Sequence, residues 1–194
     1  MGVWIIAAFA FLGAGTAAKI QSMLAKPKVL CGRFEQTKQL VGLKNPVKSA
    51  GRFCVVADKG VLWRSERPFA STIKLTRDEI VQIQGGRVSL RLDAKKEPTV
   101  RVINGVLFSL LAGDLDQLEK LFEADGAINQ QSWSVTLKAR APALAKAIGA
   151  ITLDGAAYVR NIVIDEASGD RTSIVFSAIQ TGDGAMTVEE AALF

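Results

Sequence analysis

The chain has 194 residues, of which 49% are hydrophobic and 22% charged; 24 Lys+Arg against 19 Asp+Glu give it a net charge of +5. Its length suits one domain, or one domain with a tail, and its apolar content excludes a disordered chain. The absence of histidine removes Ser-His-Asp and Cys-His nucleophile pairs, HExxH metalloproteases and His-ligated zinc, and two cysteines are too few for a Cys-only zinc site or a disulfide-dense scaffold.

Residues 1–18 carry no charge. Val3–Leu12 is unbroken apolar sequence, and small residues follow it to Thr16-Ala17-Ala18. This is the pattern of a secretory signal, and it is too short for a comfortable membrane span of about 20 residues. No basic residue precedes Val3, so the start lies upstream or the signal is atypical. The expectation is a signal peptide over 1–18, cleaved or kept as an anchor, ahead of a single domain over 19–194. An exported chain meets an oxidising compartment, which makes Cys31 and Cys54 a candidate disulfide. They sit on consecutive strand-like segments, and a hairpin folded near Gly42–Asn45 would set them roughly opposite each other. The other reading is two buried free thiols.

Lys19–Lys26 places Ile20, Met23 and Leu24 at helical spacing and stops at Pro27, which predicts a short amphipathic helix. Beyond it the period becomes two. Val29–Val41 and Lys48–Ala57 read as strands joined by turn residues 42–46, and Asp58-Lys59-Gly60 is a tight turn. Val61–Glu66 and Phe69–Thr76 follow, separated by Arg67-Pro68, and Gly85-Gly86 marks another turn. Arg87–Asp93 alternates without error, with Val88, Leu90 and Leu92 on one face; such a sheet has one wet and one apolar side.

The pattern then changes. Val102–Ala112 is apolar almost all round. Leu115–Ala124 carries Leu115, Leu118, Leu121 and Phe122 as a helical stripe behind Asp114, a credible N-cap. Trp133–Ala139 returns to strand spacing, Pro142 opens a short helix over Ala143–Gly149, and Ala157–Asp165 and Thr172–Ile179 flank a Ser168-Gly169-Asp170 turn. About ten strands carry too much apolar face for a flat open sheet, so the sheet must curl or be covered. Helices around 102–124 are the natural cover. Together these give an α+β fold in which helices lie over the concave side of a curved antiparallel sheet and leave an apolar pocket. The candidate lining is Trp63, Phe69, Val88, Leu90, Leu107, Phe108, Leu111, Trp133 and Leu137; each is otherwise an ordinary core position.

The charges point elsewhere. Arg87, Arg91, Lys95, Lys96 and Arg101 form the densest basic stretch, which reads as a solvated strand edge before it reads as a partner surface. No aromatics interleave with them, so nucleic-acid binding has no support. The carboxylate pairs Asp78-Glu79, Glu123/Asp125, Asp165-Glu166 and Glu189-Glu190 lie at turns or helix ends and suggest no general acid/base dyad or calcium loop.

Three segments resemble the LolA-like group of periplasmic lipoprotein carriers. Gly32–Lys38 is similar to the group's Phe-x-Gln-x-Lys strand. Ser49–Phe53, then Lys59–Trp63 and Pro68, resemble its small-x-Gly-x-apolar strand and Gly-x-x-Trp…Pro element. Trp133–Leu137, Ile162–Asp165 and Thr172–Phe176 resemble its closing strands. The resemblance implies an incomplete β-barrel of about eleven strands with a helical lid over an apolar cavity. It implies a monomeric, non-enzymatic periplasmic carrier of the Gram-negative envelope, without metal or cofactor. Its partners would be an acylated lipoprotein or lipid cargo, an inner-membrane ABC-type releasing complex and an outer-membrane receptor. One departure stands out: the family's lid-latching Arg has no counterpart in Cys54–Asp58, which leaves Arg64 or Arg67 as a substitute and suggests a divergent branch. The alternative function is a static envelope interaction module on the same fold, which a cavity under roughly 300 Å³ would favour.

Overall fold

A computed structural model describes residues 14–93, 95–96, 105, 108–109, 115–146 and 148–194. Eleven antiparallel strands form one sheet in the order β6-β5-β4-β3-β2-β1-β11-β10-β9-β8-β7. The strands are β1 (Val29–Gln39), β2 (Val47–Val56), β3 (Gly60–Arg67), β4 (Ser71–Leu75), β5 (Glu79–Gln84), β6 (Arg87–Asp93), β7 (Phe122–Asn129), β8 (Ser132–Ala139), β9 (Ile148–Gly155), β10 (Val159–Glu166) and β11 (Arg171–Thr181). The first and last strands in sequence meet at the centre, β1 against β11, while β6 and β7 are the two unjoined edges. The barrel is therefore incomplete.

Register shifts at Cys31/Arg33, Ala50/Gly51 and Gln82/Ile83 bend the sheet, because an extra residue on one strand sharpens the local twist. Gly51 sits at such a bend, where any Cβ would collide with the Arg64 carbonyl. The concave side carries the main core, in which Ile20 and Leu24 pack with Phe34, Phe53, Trp133, Val135, Leu137, Ile151 and Leu153. Helix α1 (Ala14–Met23) and helix α2 (Leu115–Glu119) lie on that side, and α2 buries Leu118 there. The short helices α3 (Pro142–Ala145) and α4 (Val188–Ala191) follow, with a 3-10 turn over Asp183–Ala185 ahead of α4.

A second core covers the opposite face. Val29, Cys31, Cys54, Val56 and Leu62 are packed there against Ala185, Met186, Leu193 and Phe194. Cys31 and Cys54 are directly cross-strand and joined by a disulfide. In the chain-terminal turn, Thr187 and Glu190 form a reciprocal capping box at the start of α4.

Several sequence expectations need correction. Among the described residues the first helix covers Ala14–Met23 and ends at Met23, where the expectation was Lys19–Lys26; residues 1–13 of the expected signal lie outside the described residues. The helix expected over Leu115–Ala124 stops at Glu119, and Phe122–Asn129 is strand β7. Leu118 and Phe122 have helical spacing, but Phe122, Ala124, Gly126 and Ile128 also alternate, and pairing with β8 decides in favour of the strand. The helix expected over Ala143–Gly149 is one turn, after which β9 alternates, with Ile151, Leu153 and Gly155 buried. Strand β5 falls where the sequence pattern predicts no element. Of the apolar segment Val102–Ala112, Gly105, Phe108 and Ser109 are helical, and the rest, with Asp114, lies outside the described residues.

Candidate functional site

The strand directions place one set of turns, β2–β3, β4–β5 and β9–β10, at one end of the sheet. There, between the concave sheet face and the segment that follows α1, lies a cavity of about 360 Å³. Its floor is β-sheet, formed by Leu30 of β1, Phe53 and Val55 of β2, Val159 of β10 and Phe176 of β11. Leu24 and Phe108 close it from the helical side, and Lys26, Asp58 and Arg77 stand at its mouth.

The floor is stiffened by an aromatic cluster. Phe34 and Trp63 stack with centroids 3.8 Å apart, and Phe53 lies tilted against Phe176 at 4.8 Å. Trp63 also reaches Phe176 edge-on at 6.1 Å. Edge contacts such as that of Trp63 with Phe176 are among the arrangements aromatic rings prefer. The Phe53 and Phe176 rings thus present a firm apolar surface to the cavity, held from behind by Phe34 and Trp63. The only titratable groups bordering the cavity in the described residues are at the mouth and at Tyr158, so its interior can host apolar matter and offers no proton-transfer pair.

Of the residues expected to line the pocket, Phe108 borders the cavity. Trp63 lies one ring away, behind Phe53 and Phe176. Trp133 and Leu137 are buried in the core, with the Trp133 indole N–H donating to the Ala156 carbonyl at 2.7 Å; Trp133 also borders an open groove beside Ala127, Asp154 and Asn161, away from this cavity. Phe69 is 77% exposed in the β3–β4 turn. Val88 and Leu90 are exposed as well, because at the sheet edge no described helix covers the faces of β6. Leu107 and Leu111 lie outside the described residues. Arg64 is turned toward Glu189 of α4, at 3.5 Å, on the face bearing the disulfide, so it does not latch a lid over the cavity. Arg67 is exposed.

The residues that sequence reasoning passed over are Leu24, Val159, Leu30, Val55, Phe53 and Phe176. The last two were visible as the aromatic positions of the segments Ser49–Phe53 and Thr172–Phe176, and in the fold the aromatic residues of three segments, with Trp63, meet in one cluster. Cys31, Cys54 and Glu190 also bring potential ligand atoms within 4.8 Å of one another, but the two sulfurs are bonded to each other.

The family model described as "Outer membrane lipoprotein carrier protein LolA-like" matches residues 12–193. No curated protein matches the chain. Among solved structures it is similar to a LolA superfamily protein from Nitrosomonas europaea, at 7% identity and a TM-score of 0.47 over 87% of this chain and 93% of that one. It is also similar to a putative outer membrane lipoprotein-sorting protein domain from Vibrio parahaemolyticus, at 7% identity and 0.47 over 90% and 94%. A DUF1329 family protein from Desulfovibrio piger gives 8% identity and 0.49 over 93% and 97%.

Proposed function

The chain belongs to the LolA-like family of outer membrane lipoprotein carriers, and from that premise we propose that it is a non-enzymatic periplasmic carrier. It takes the acyl chain of a lipoprotein, or of a related lipid-linked molecule, into the cavity and moves it from inner to outer membrane. It works as a monomer, receiving cargo from an ABC-type releasing complex in the inner membrane and passing it to an outer-membrane receptor. The observation that carries this reading is the apolar cavity of about 360 Å³ floored by Leu30, Phe53, Val55 and Phe176. It exceeds the roughly 300 Å³ below which a drug-sized ligand has no room, which favours a carrier over a static interaction module.

Physics limits how such a carrier holds its cargo. Each buried methylene contributes about 0.8 kcal/mol, so one sixteen-carbon chain fully buried contributes on the order of 12 kcal/mol. Several chains held that tightly would not be released in a useful time. A cavity near the lower end of the usual ligand range encloses part of one chain, which keeps release possible.

The test is native mass spectrometry of the protein purified from its own periplasm, with binding of a fluorescent fatty-acid probe measured alongside. The expected result is a co-purifying acylated molecule and a probe that Val55→Trp excludes while the protein stays folded. Leu30→Phe serves as a second, milder filling variant. Absence of any acylated molecule, together with no probe binding by the parent, would overturn the reading.

A further inference from the structure

The end of the sheet opposite the cavity mouth carries a feature the carrier role does not use. The β1–β2 hairpin tip exposes three large aliphatic side chains, Val41 at 69%, Leu43 at 51% and Val47 at 48%. In the β3–β4 turn at the same end, Phe69 is the most exposed aromatic among the described residues, at 77%. Scattered surface apolar residues are ordinary, but a cluster at one tip is not.

The tip is held in shape. The Leu43 N–H donates to the Leu40 carbonyl at 3.1 Å, and the Gln39 side-chain amide donates to the Leu43 carbonyl at 2.9 Å. The Val41 N–H donates to the Asp170 carboxylate at 2.8 Å, which ties the hairpin to the β10–β11 turn. Lys44 and Lys48, interleaved with the aliphatic residues, are exposed and make no ion pair among the described residues. By contrast, Lys38, just below the tip, is paired with Glu166 at 2.9 Å.

Exposed aliphatic residues fixed at a hairpin tip beside unpaired lysines match the two halves of a membrane interface. Apolar tips enter the acyl boundary while cations meet anionic head groups. We propose that the β1–β2 tip docks the protein onto an anionic lipid bilayer, with the cavity mouth facing away from that bilayer and free for protein partners. The surface is separate from the cavity, so docking and cargo binding fail independently.

The test uses the full chain and vesicles of phosphatidylcholine with or without phosphatidylglycerol. Since residues 1–13 are common to every variant, the readout is made local. Leu43→Trp is expected to show quenching by brominated acyl chains above that of the parent's own tryptophans, in phosphatidylglycerol-containing vesicles and weakening with salt. Leu43→Asp is expected to weaken vesicle co-sedimentation at least tenfold. Replacing Lys44 and Lys48 by Gln is expected to weaken it about fivefold per lysine. Fatty-acid probe binding stays at the parent level in each. No excess quenching at position 43, or equal sedimentation of parent and Leu43→Asp, overturns the proposal. A tip that captures an acidic protein yet ignores lipid overturns it too.

Discussion

Carboxylates normally stay in water, yet the side chain of Glu190, in α4, is 4% exposed. Burial alone would raise its pKa. Hydrogen bonds from the Arg52 guanidinium and the Thr187 N–H, with the attraction of the Arg52 charge, outweigh that and hold it below the usual carboxylate value. The folded pKa is thus lower than the unfolded one. The carboxylate's contribution to stability is complete above the ordinary value of about 4.3 and is lost as pH falls through the lowered one. Glu190→Gln is expected to lose about 2 kcal/mol at pH 7, the scale of a hydrogen bond to a charged partner. Urea titrations should show the gap to the parent closing as pH drops below about 4; a gap that persists unchanged into acid would contradict the assignment. Half of this arrangement is legible in the sequence, because Thr187-Val188-Glu189-Glu190 has capping-box spacing. The partner Arg52, 138 residues away, is not, since the pairing exists only once β2 passes beneath the terminal segment.

At the scale of elements, legibility followed the strength of the local period. The alternation of Arg87–Asp93 reads off the sequence without a shift in either boundary. Where one residue set satisfies two periods, as Leu118 and Phe122 do, local pattern cannot choose, and the ladder of β7 with β8 does so. Alternation also cannot say which strand ends up at an edge. Val88 and Leu90 face outward apolar for that reason, while Phe53 and Phe176, on the two strands that flank β1 at the centre, became the cavity floor. The hairpin of β1 and β2 was legible enough to set Cys31 opposite Cys54, and the register does so directly. With the two cysteines 23 residues apart, closing the loop stabilises the fold by about 3 kcal/mol in the chain-entropy account. The double variant Cys31→Ser/Cys54→Ser is expected to lose that amount in urea unfolding. Its affinity for a fatty-acid probe should remain, because the bridge lies in the outer core and the cavity on the other face. Loss of probe binding in a variant still folded would show that the two faces are coupled.

For the molecule as a whole, the two cores divide the labour: the outer one, under α4 and the terminal residues, fastens the centre of the sheet, and the concave one is left incomplete at one end. An incomplete core is an energetic vacancy that an acyl chain can fill, and the cavity's size fixes how much of the chain gains from filling it. Each methylene enclosed adds about 0.8 kcal/mol, or close to fourfold in affinity. In a series of saturated fatty acids from eight to sixteen carbons, affinity is therefore expected to rise about fourfold per methylene at first. It should then level off before sixteen, when the roughly 360 Å³ between Phe53, Phe176, Leu24 and Phe108 is occupied. Calorimetric titration against the parent and Val55→Trp reads both parts of the curve, with the filling variant levelling off earlier. A slope undiminished through sixteen carbons would mean that the helical side moves away on loading, since burial beyond the resting volume requires new space. A flat series would mean that the acyl chain is not the group the cavity recognises. The plateau length thus measures how much of a bound acyl chain the cavity shields.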